Sequence, residues 1–183
     1  MKSIQVTIKG IQPGLLMHRF PMDGADESSK QTTGKPDYSK EAEISLYKDE
    51  SGVIYQPASH IEGALKEASK TLKIPGKRGA SYAKLVGSCV SVYPDAIPHI
   101  ETKYEIDARP VVIQKARVIR YRPLFKDWEL SFIIEIADDQ LPTDVVKRAL
   151  DHAGLYVGIG DFRPGKGGKF GKFMVTEFKE VNN

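Results

Sequence analysis

The sequence has little cysteine: Cys89 is the only one among its 183 residues. An intramolecular disulfide is therefore impossible, and zinc sites built from several cysteines are excluded. No apolar run approaches the roughly 20 residues that span a bilayer. The first ten residues alternate polar and apolar side chains and lack a signal-peptide core. We therefore expect a non-secreted, cytoplasmic protein without a membrane segment.

The sequence also lacks a large excess of charge of one sign. It has 27 Lys and Arg and 24 Asp and Glu, which gives a net charge of +3. The four histidines are scattered, without the His-x-x-x-His or His-Glu-x-x-His spacing of zinc sites. Neither a Ser-His-Asp nor a Cys-His arrangement can be recognised. We expect no metal and no cofactor, and the sequence favours a non-catalytic protein.

Hydrophobic periodicity predicts the main elements of the fold. Apolar residues alternate in three segments, which predicts strands, and recur with helical spacing in two others. The strands are expected at 3–11, 128–137 and 173–181, and the helices at 59–72 and 141–154, the second ending at Gly154. This order predicts an α+β, ferredoxin-like or RRM-like (split βαβ) domain with an antiparallel sheet and both helices on one face. The other face is left for a ligand.

Two long insertions interrupt this pattern within one predicted domain, 1–183. The first, about 21–52, begins with a polar segment that lacks core periodicity and is expected to be flexible. The second, about 94–110, is bracketed by prolines and is expected to be irregular. The residues after it, 111–121, are predicted to form a single strand. Long loops inside a compact domain are often functional.

The strongest local signal is the segment 158–172, which combines six glycines with Lys166, Lys169 and Lys172. Glycine lets main-chain amides approach an anion, and the lysines add charge to such a nest. Phe162 and Phe170 are predicted to stack on bases. The segment is not a Walker loop, because no Gly-Lys-Ser/Thr follows. A basic hairpin that binds nothing is the alternative.

A second basic segment, 115–122, alternates Arg117 on one face with Arg120 and Arg122 on the other. Arginines exposed on a sheet suit phosphate contacts. A solvated edge strand whose charges deter aggregation remains an equal alternative.

His18 and two acids are the candidates for catalysis. His18, beside Arg19, is a candidate general base for RNA cleavage, or one more polar contact. Asp23 and Asp26 in the polar insertion could hold a metal over a bound strand, although acids in a polar loop are usually only solvated.

Three segments occur in the order found in the RAMP superfamily, the RNA-binding proteins of CRISPR systems. The segment 53–68, Val-Ile-Tyr-Gln-Pro-Ala-Ser-His-Ile-Glu-Gly-Ala-Leu-Lys-Glu-Ala, resembles that superfamily's entry to its first helix. A strand and helix follow, and then the terminal glycine-rich loop. The layout is most similar to the backbone subunit that polymerises along guide RNA. This resemblance implies that Lys66 and 165–172 contact RNA phosphates and that 21–40 forms a thumb.

The first hypothesis is therefore a backbone-type subunit that binds single-stranded guide RNA, together with copies of itself and other effector subunits. Two alternatives remain open: a RAMP-type endoribonuclease using His18, and a phage or mobile-element protein that reuses the fold for single-stranded nucleic acid or a structural partner. The predicted interface comprises Arg19, Lys66, Arg117, Arg120, Arg122, Phe162, Arg163, Gly165, Lys166, Gly167, Gly168, Lys169, Phe170, Gly171 and Lys172.

Overall fold

The computed structural model of the chain describes residues 1–19, 38–113 and 115–181. The first half contains β1 (Lys2–Gly10), β2 (Leu15–Leu16), α1 (Tyr38–Ile44), β3 (Tyr55–Pro57), α2 (Ala58–Ala68), α3 (Ala83–Cys89), β4 (Val90–Tyr93) and β5 (Ala96–Pro98). The second half contains β6 (Glu105–Ile113), β7 (Ala116–Phe125), β8 (Glu129–Ile136), α4 (Thr143–His152) and β9 (Phe173–Val181). Within the described residues, no helix has the length and apolarity needed to span a bilayer.

The main sheet has four strands in the order β4-β8-β1-β9, and every neighbouring pair is antiparallel. The strands β1, β4, β8 and β9 with the helices α2 and α4 form the βαββαβ arrangement of the ferredoxin-like fold. The predicted α+β class is therefore confirmed, with two smaller sheets, β2-β7-β6 and β3-β5, added to the main one.

The core lies between one face of this sheet and the two helices. Ile4, Val6 and Ile8 of β1 are fully buried, and β8 alternates buried and half-buried residues along its whole length. The helices contribute their apolar faces, namely Ile61, Ala64 and Leu65 of α2 and Val146, Ala149 and Leu150 of α4. Fully burying one Val, Leu or Ile side chain stabilises the fold by about 1.5–3 kcal/mol.

The opposite face of the main sheet is polar. Gln5 donates a hydrogen bond to Ser131 across β1 and β8, and Thr7 donates to Glu177 of β9. Glu135 and Glu129 lie on the same face, opposite Ser3 and Lys9 in the strand register. Lys9 and Lys179 share this face with Glu129, Glu135 and Glu177, so the face that the sequence left for a ligand has no excess of positive charge to attract a polyanion.

Two predictions for the middle of the chain are wrong: that 94–110 is irregular, and that 111–121 is a single strand. The stretch 94–110 contains β5 and most of β6, and 111–121 is split between β6 and β7, which form a hairpin. Lys115 lies in the turn with a φ of +70°, a conformation that usually marks a glycine or asparagine in sequence. Ile106, Val112 and Ile119 are exposed on one face of this hairpin.

Both long helices have different bounds from those predicted, 59–72 for α2 and 141–154 for α4. Helix α2 begins at Ala58 after Pro57 without a side-chain cap, and Glu62 accepts a hydrogen bond from the Val92 amide of β4 at 2.9 Å. Helix α4 does not stop at Gly154 but continues as a π-helical turn over Ala153–Val157. A Cβ at Gly154 would lie 2.2 Å from the Phe173 carbonyl oxygen, so packing requires glycine there.

The first predicted insertion is described only from residue 38 onward. There it holds α1, which packs against β7, and an Asp49 turn closed by hydrogen bonds from the Ser51 and Val53 amides. Asp23, Asp26 and most of the proposed thumb at 21–40 lie outside the described residues.

His99 gives the fold a defined pH dependence. It is 5% exposed, it stacks on Phe125 with ring centroids 5.0 Å apart, and neither ring nitrogen has a partner in the described part of the chain. Burial lowers the pKa of His99 from 6.5 to about 4. A folded-state pKa below the unfolded value means that the unfolded chain binds the proton first. Stability from this group is thus complete above pH 6.5 and declines as the pH falls towards 4.

We expect the free energy of unfolding of the wild type to fall by about 3 kcal/mol between pH 7 and pH 4 on account of His99. Urea denaturation at several pH values measures it. The His99→Leu variant removes the titrating group and should flatten the curve by that amount. An identical pH dependence in the variant and the wild type would contradict the assignment.

Candidate functional site

A cleft of about 530 Å³ opens where the start of α2 faces the glycine-rich loop. Helix α2 contributes one face, with Ser59, His60, Gly63 and Glu67 following each other at helical spacing. The loop contributes the opposite wall through residues 157–161 and Arg163, Gly165 and Lys166. The remaining lining residues are Met17, His18, Tyr47, Gln56 and Ala64. This volume lies within the range of small-ligand sites.

The loop wall is positioned by the π-helical turn that extends α4. Gly158 ends the turn with a φ of +69°, and its amide donates to the Ala153 carbonyl at 2.7 Å. Val157 and Ile159 on either side then line the cleft. Single π-helical turns are rare in proteins, and many of those that do occur lie at functional sites.

The loop is further fixed to the segment that follows β1. The Asp161 amide donates to the Leu16 carbonyl at 2.9 Å, and the Gly171 amide donates to the Gly14 carbonyl at 2.8 Å. Gly160 lies so close to Leu16 that a Cβ would be 2.5 Å from its carbonyl oxygen. The loop is therefore a folded unit against β2 rather than an open hairpin.

The predicted cradle of main-chain amides is wrong for most of the loop. The amides of Lys166 and Gly168 donate to the Arg163 carbonyl, that of Gly167 to Pro164, and that of Phe170 to the Phe162 carbonyl, all at 2.9–3.0 Å. The Gly171 amide is bonded to Gly14, as above. Amides that are satisfied inside the protein are not available to an anion.

Close packing explains two of the glycines. A Cβ at Gly168 would lie 1.7 Å from the Phe162 carbonyl oxygen, and one at Gly171 would lie 1.7 Å from the Ile159 carbonyl oxygen. No side chain fits at such separations, so these glycines let two backbone segments approach each other. Their role is structural rather than ligand-binding.

The two phenylalanines of the loop differ in environment. Phe170 is 2% exposed, clusters with Leu16 and Leu124, and is covered by the Arg109 guanidinium 4.3 Å from its ring centroid. This burial contradicts the prediction that Phe170 stacks on a base. Phe162 is 39% exposed with a φ of +47°, so its ring remains accessible.

The acidic residues that line the cleft form ion pairs, whereas two of its cations do not. Asp161 forms an ion pair with Arg122, and Glu67 forms one with Lys70 at 2.5 Å. Arg163 donates to the Gly160 carbonyl at 2.8 Å, while Lys166 is exposed. Arg163 and Lys166 have no carboxylate within 4 Å among the described residues. The same residues contain no group of three His, Cys, Asp or Glu side chains placed for a metal ion.

The floor of the cleft consists of neutral polar groups. Gln56 Nε2 donates to His60 Nδ1 at 2.5 Å, and the edge of the His60 ring meets Tyr47, with centroids 5.5 Å apart and planes at 83°. Burial and, secondarily, Arg163 lower the pKa of His60, so the imidazole is neutral at pH 7. Burial and Tyr55 raise the pKa of Tyr47, against the opposing effect of Arg19.

The structure brings only part of the predicted interface together. His18, Arg163, Gly165 and Lys166 line the cleft. Arg19 lies near enough to affect Tyr47 electrostatically. Gly167 and Lys169 are exposed on the same loop, and Lys172 is half-buried.

The other predicted cations lie elsewhere. The Lys66 side chain runs past Gly87 of α3, on a different face of α2 from the cleft, which contradicts its grouping with the loop. Arg120 pairs with Glu41 at 3.4 Å and Arg122 with Asp161, so neither is a free phosphate ligand. Burial lowers the pKa of Arg122. Arg117 is exposed on the β6–β7 hairpin, opposite Val112.

Sequence reasoning missed Gln56, His60 and Tyr47. Gln56 and His60 both lie in the segment 53–68 that carries the family resemblance, but only Lys66 was assigned a role there. Helical phase was the available signal, because His60, Gly63 and Glu67 share a face that excludes Lys66.

We expect the amides of Gly168, Phe170 and Gly171 to exchange with solvent at least about 100-fold more slowly than in an unstructured peptide, since each is bonded within the protein. Residue-resolved hydrogen exchange by NMR, without added ligand, measures this. Exchange at peptide rates would contradict this and would restore the interpretation of the loop as open and able to bind an anion.

Comparison with protein-family models finds no model that matches the chain, and comparison with curated proteins finds no matching one. The assignment of a function therefore depends on the residues of the cleft and their chemistry.

Proposed function

We propose that the protein binds single-stranded RNA in the cleft between α2 and the glycine-rich loop. The observation that carries the proposal is the presence, on one rim, of two cations without carboxylate partners among the described residues, Arg163 and Lys166. Phosphate contacts of this kind supply most of the affinity in sequence-tolerant binding.

The balance of charge supports a polyanionic ligand. The acids that line the cleft, Asp161 and Glu67, are each offset by a neighbouring cation. Lys169 adds an exposed charge to the loop three residues beyond Lys166. The local potential at this rim is thus positive, although the whole chain has a net charge of only +3.

The dimensions of the site favour a single strand over a duplex. A cleft of about 530 Å³ can receive a nucleotide but not a double helix, whose grooves would have to be entered by a protruding element. Phe162 is not among the residues that line the cleft, but it lies between two of them, Asp161 and Arg163, and is 39% exposed, so a base next to the cleft can stack on its ring. RNA recognition commonly uses unstacked bases in this way.

The resemblance to the RAMP superfamily supports RNA as the nucleic acid. The ferredoxin-like fold is the one predicted from the order of strands and helices, and His60 and the loop lie in two of the segments that carry the resemblance. A backbone-type subunit of a CRISPR-like ribonucleoprotein is the specific role that we propose on this ground.

Replacing Lys166 and Lys169 together with Ala should weaken binding of a 20-nucleotide single-stranded RNA by roughly tenfold at 50 mM salt. The slope of log K against log salt should fall by about 1.4, since each phosphate contact to a single strand contributes about 0.7. Fluorescence anisotropy between 50 and 200 mM salt measures both quantities.

The matched control replaces Lys9 and Lys179, two exposed lysines on the polar face of the main sheet. This variant loses the same charge, so we expect its affinity and salt slope to stay within twofold and about 0.3 of the wild type. Equal losses in both double variants would mean that binding is not localised at the cleft. Tighter binding of DNA of the same sequence would contradict the choice of RNA.

A second candidate function is metal-independent RNA cleavage. The observation that favours it is that His18, the predicted general base, lies in the same cleft as His60, Arg163 and Lys166. A base, a neutral imidazole and cations near one phosphate are the groups that an internal attack of a 2′-hydroxyl needs.

If this candidate is correct, His18→Ala should slow cleavage of a labelled RNA in EDTA by at least about 100-fold. His152→Ala is the control, because His152 stacks on Tyr156 outside the cleft. Absence of cleavage by the wild type would remove the whole class, and cleavage by His18→Ala at the wild-type rate would remove His18 as the base.

A further inference from the structure

Gln56 is the most deeply buried polar side chain of the cleft. It comes from β3 and is 1% exposed. Its amide nitrogen donates to His60 Nδ1, whereas its amide oxygen, Oε1, has no hydrogen-bond donor among the described residues. Buried amide oxygens are almost always paired, because leaving one unpaired is unfavourable. An oxygen of this kind at the floor of a cleft points to a ligand that supplies the donor.

His60 complements this acceptor. Since Nδ1 accepts the hydrogen bond from Gln56, the proton of the neutral ring is on Nε2. The edge-on contact with Tyr47 and the start of α2 hold the ring in position. Gln56 and His60 therefore present one acceptor and one donor, in fixed relation to each other.

A phosphate group does not fit this floor. Phosphate oxygens only accept hydrogen bonds at neutral pH, so they would meet the Gln56 oxygen without a donor between them. Among the described residues no cation donates to the Gln56 oxygen; Arg163, which acts electrostatically on His60, donates to the Gly160 carbonyl instead. The floor thus suits a neutral group with adjacent donor and acceptor atoms.

We propose that the floor receives one nucleobase of the bound RNA, whose polar edge pairs with Gln56 and His60 while its phosphate lies at Arg163 and Lys166. This proposal rests on RNA binding as proposed above. The Watson–Crick edge of each base offers an acceptor beside a donor, and single-stranded RNA exposes this edge. The ring of Tyr47 supplies an apolar wall against which a base can pack.

The experiment compares two ligands of equal charge, a 15-nucleotide RNA and an abasic ribose-phosphate chain of the same length. Gln56→Met preserves the length of the side chain and removes its hydrogen-bonding atoms. We expect the ratio of affinities for base-bearing and abasic chains to fall about tenfold in this variant, the factor of one lost hydrogen bond. Gln5→Met, on the polar face of the main sheet, is the matched control and should keep the wild-type ratio.

The outcomes separate this inference from the function on which it rests. Failure of the wild type to bind either chain would overturn RNA binding itself. Salt-dependent binding by the wild type with an unchanged ratio in Gln56→Met would overturn only the base site. Equal losses for both chains would give Gln56 a structural role and would also overturn it.

A second measurement does not depend on the folding of a variant. NMR titration of the wild type with adenosine and with ribose 5-phosphate follows the side-chain amide signal of Gln56. We expect the nucleoside to shift this signal and the sugar phosphate to leave it in place. A shift with ribose 5-phosphate alone would contradict a base at the floor.

Discussion

The attachment of the glycine-rich loop to the strand β2 is the interaction on which the cleft depends. Two main-chain hydrogen bonds, from Asp161 to Leu16 and from Gly171 to Gly14, join segments that are about 150 residues apart in the chain. The ion pair between Asp161 and Arg122 ties the same point to β7. Without these contacts the loop would not face α2, and the rim with Arg163 and Lys166 would not exist as a site.

Periodicity was sufficient for the elements that form the core. The strands β1 and β8 and the helices α2 and α4 each bury one regular face, and their segments were found from that pattern; the segment of β9 was also found, although Phe173 is its only buried residue. The βαββαβ order then limited the topology to a ferredoxin-like sheet. The β6–β7 hairpin was missed because its turn lacks glycine and leaves Lys115 at positive φ, a conformation held by the paired strands rather than by a local signal.

The glycines show why a site is harder to predict than a fold. In sequence, Gly168 and Gly171 fit an anion-binding nest as well as they fit a close approach of two backbones. The difference lies in contacts with Phe162 and Ile159, which only the folded chain brings near. Charge was similarly ambiguous: Arg120 and Arg122 form a basic run in the sequence, and each meets a carboxylate from a distant segment. Among the described residues, the predicted cations without an ion pair are Arg19, Lys66, Arg117 and those of the loop.

The π-helical turn after α4 joins the cleft to the core without a flexible linker. Ala153 and Gly154 of this turn are buried with the core, and three residues later Val157 and Gly158 line the cleft. A ligand that contacts this wall therefore acts on the same continuous rod that packs against the main sheet. A molecule that binds this wall in the folded chain and not in the unfolded chain should therefore also raise the melting temperature of the protein, by mass action.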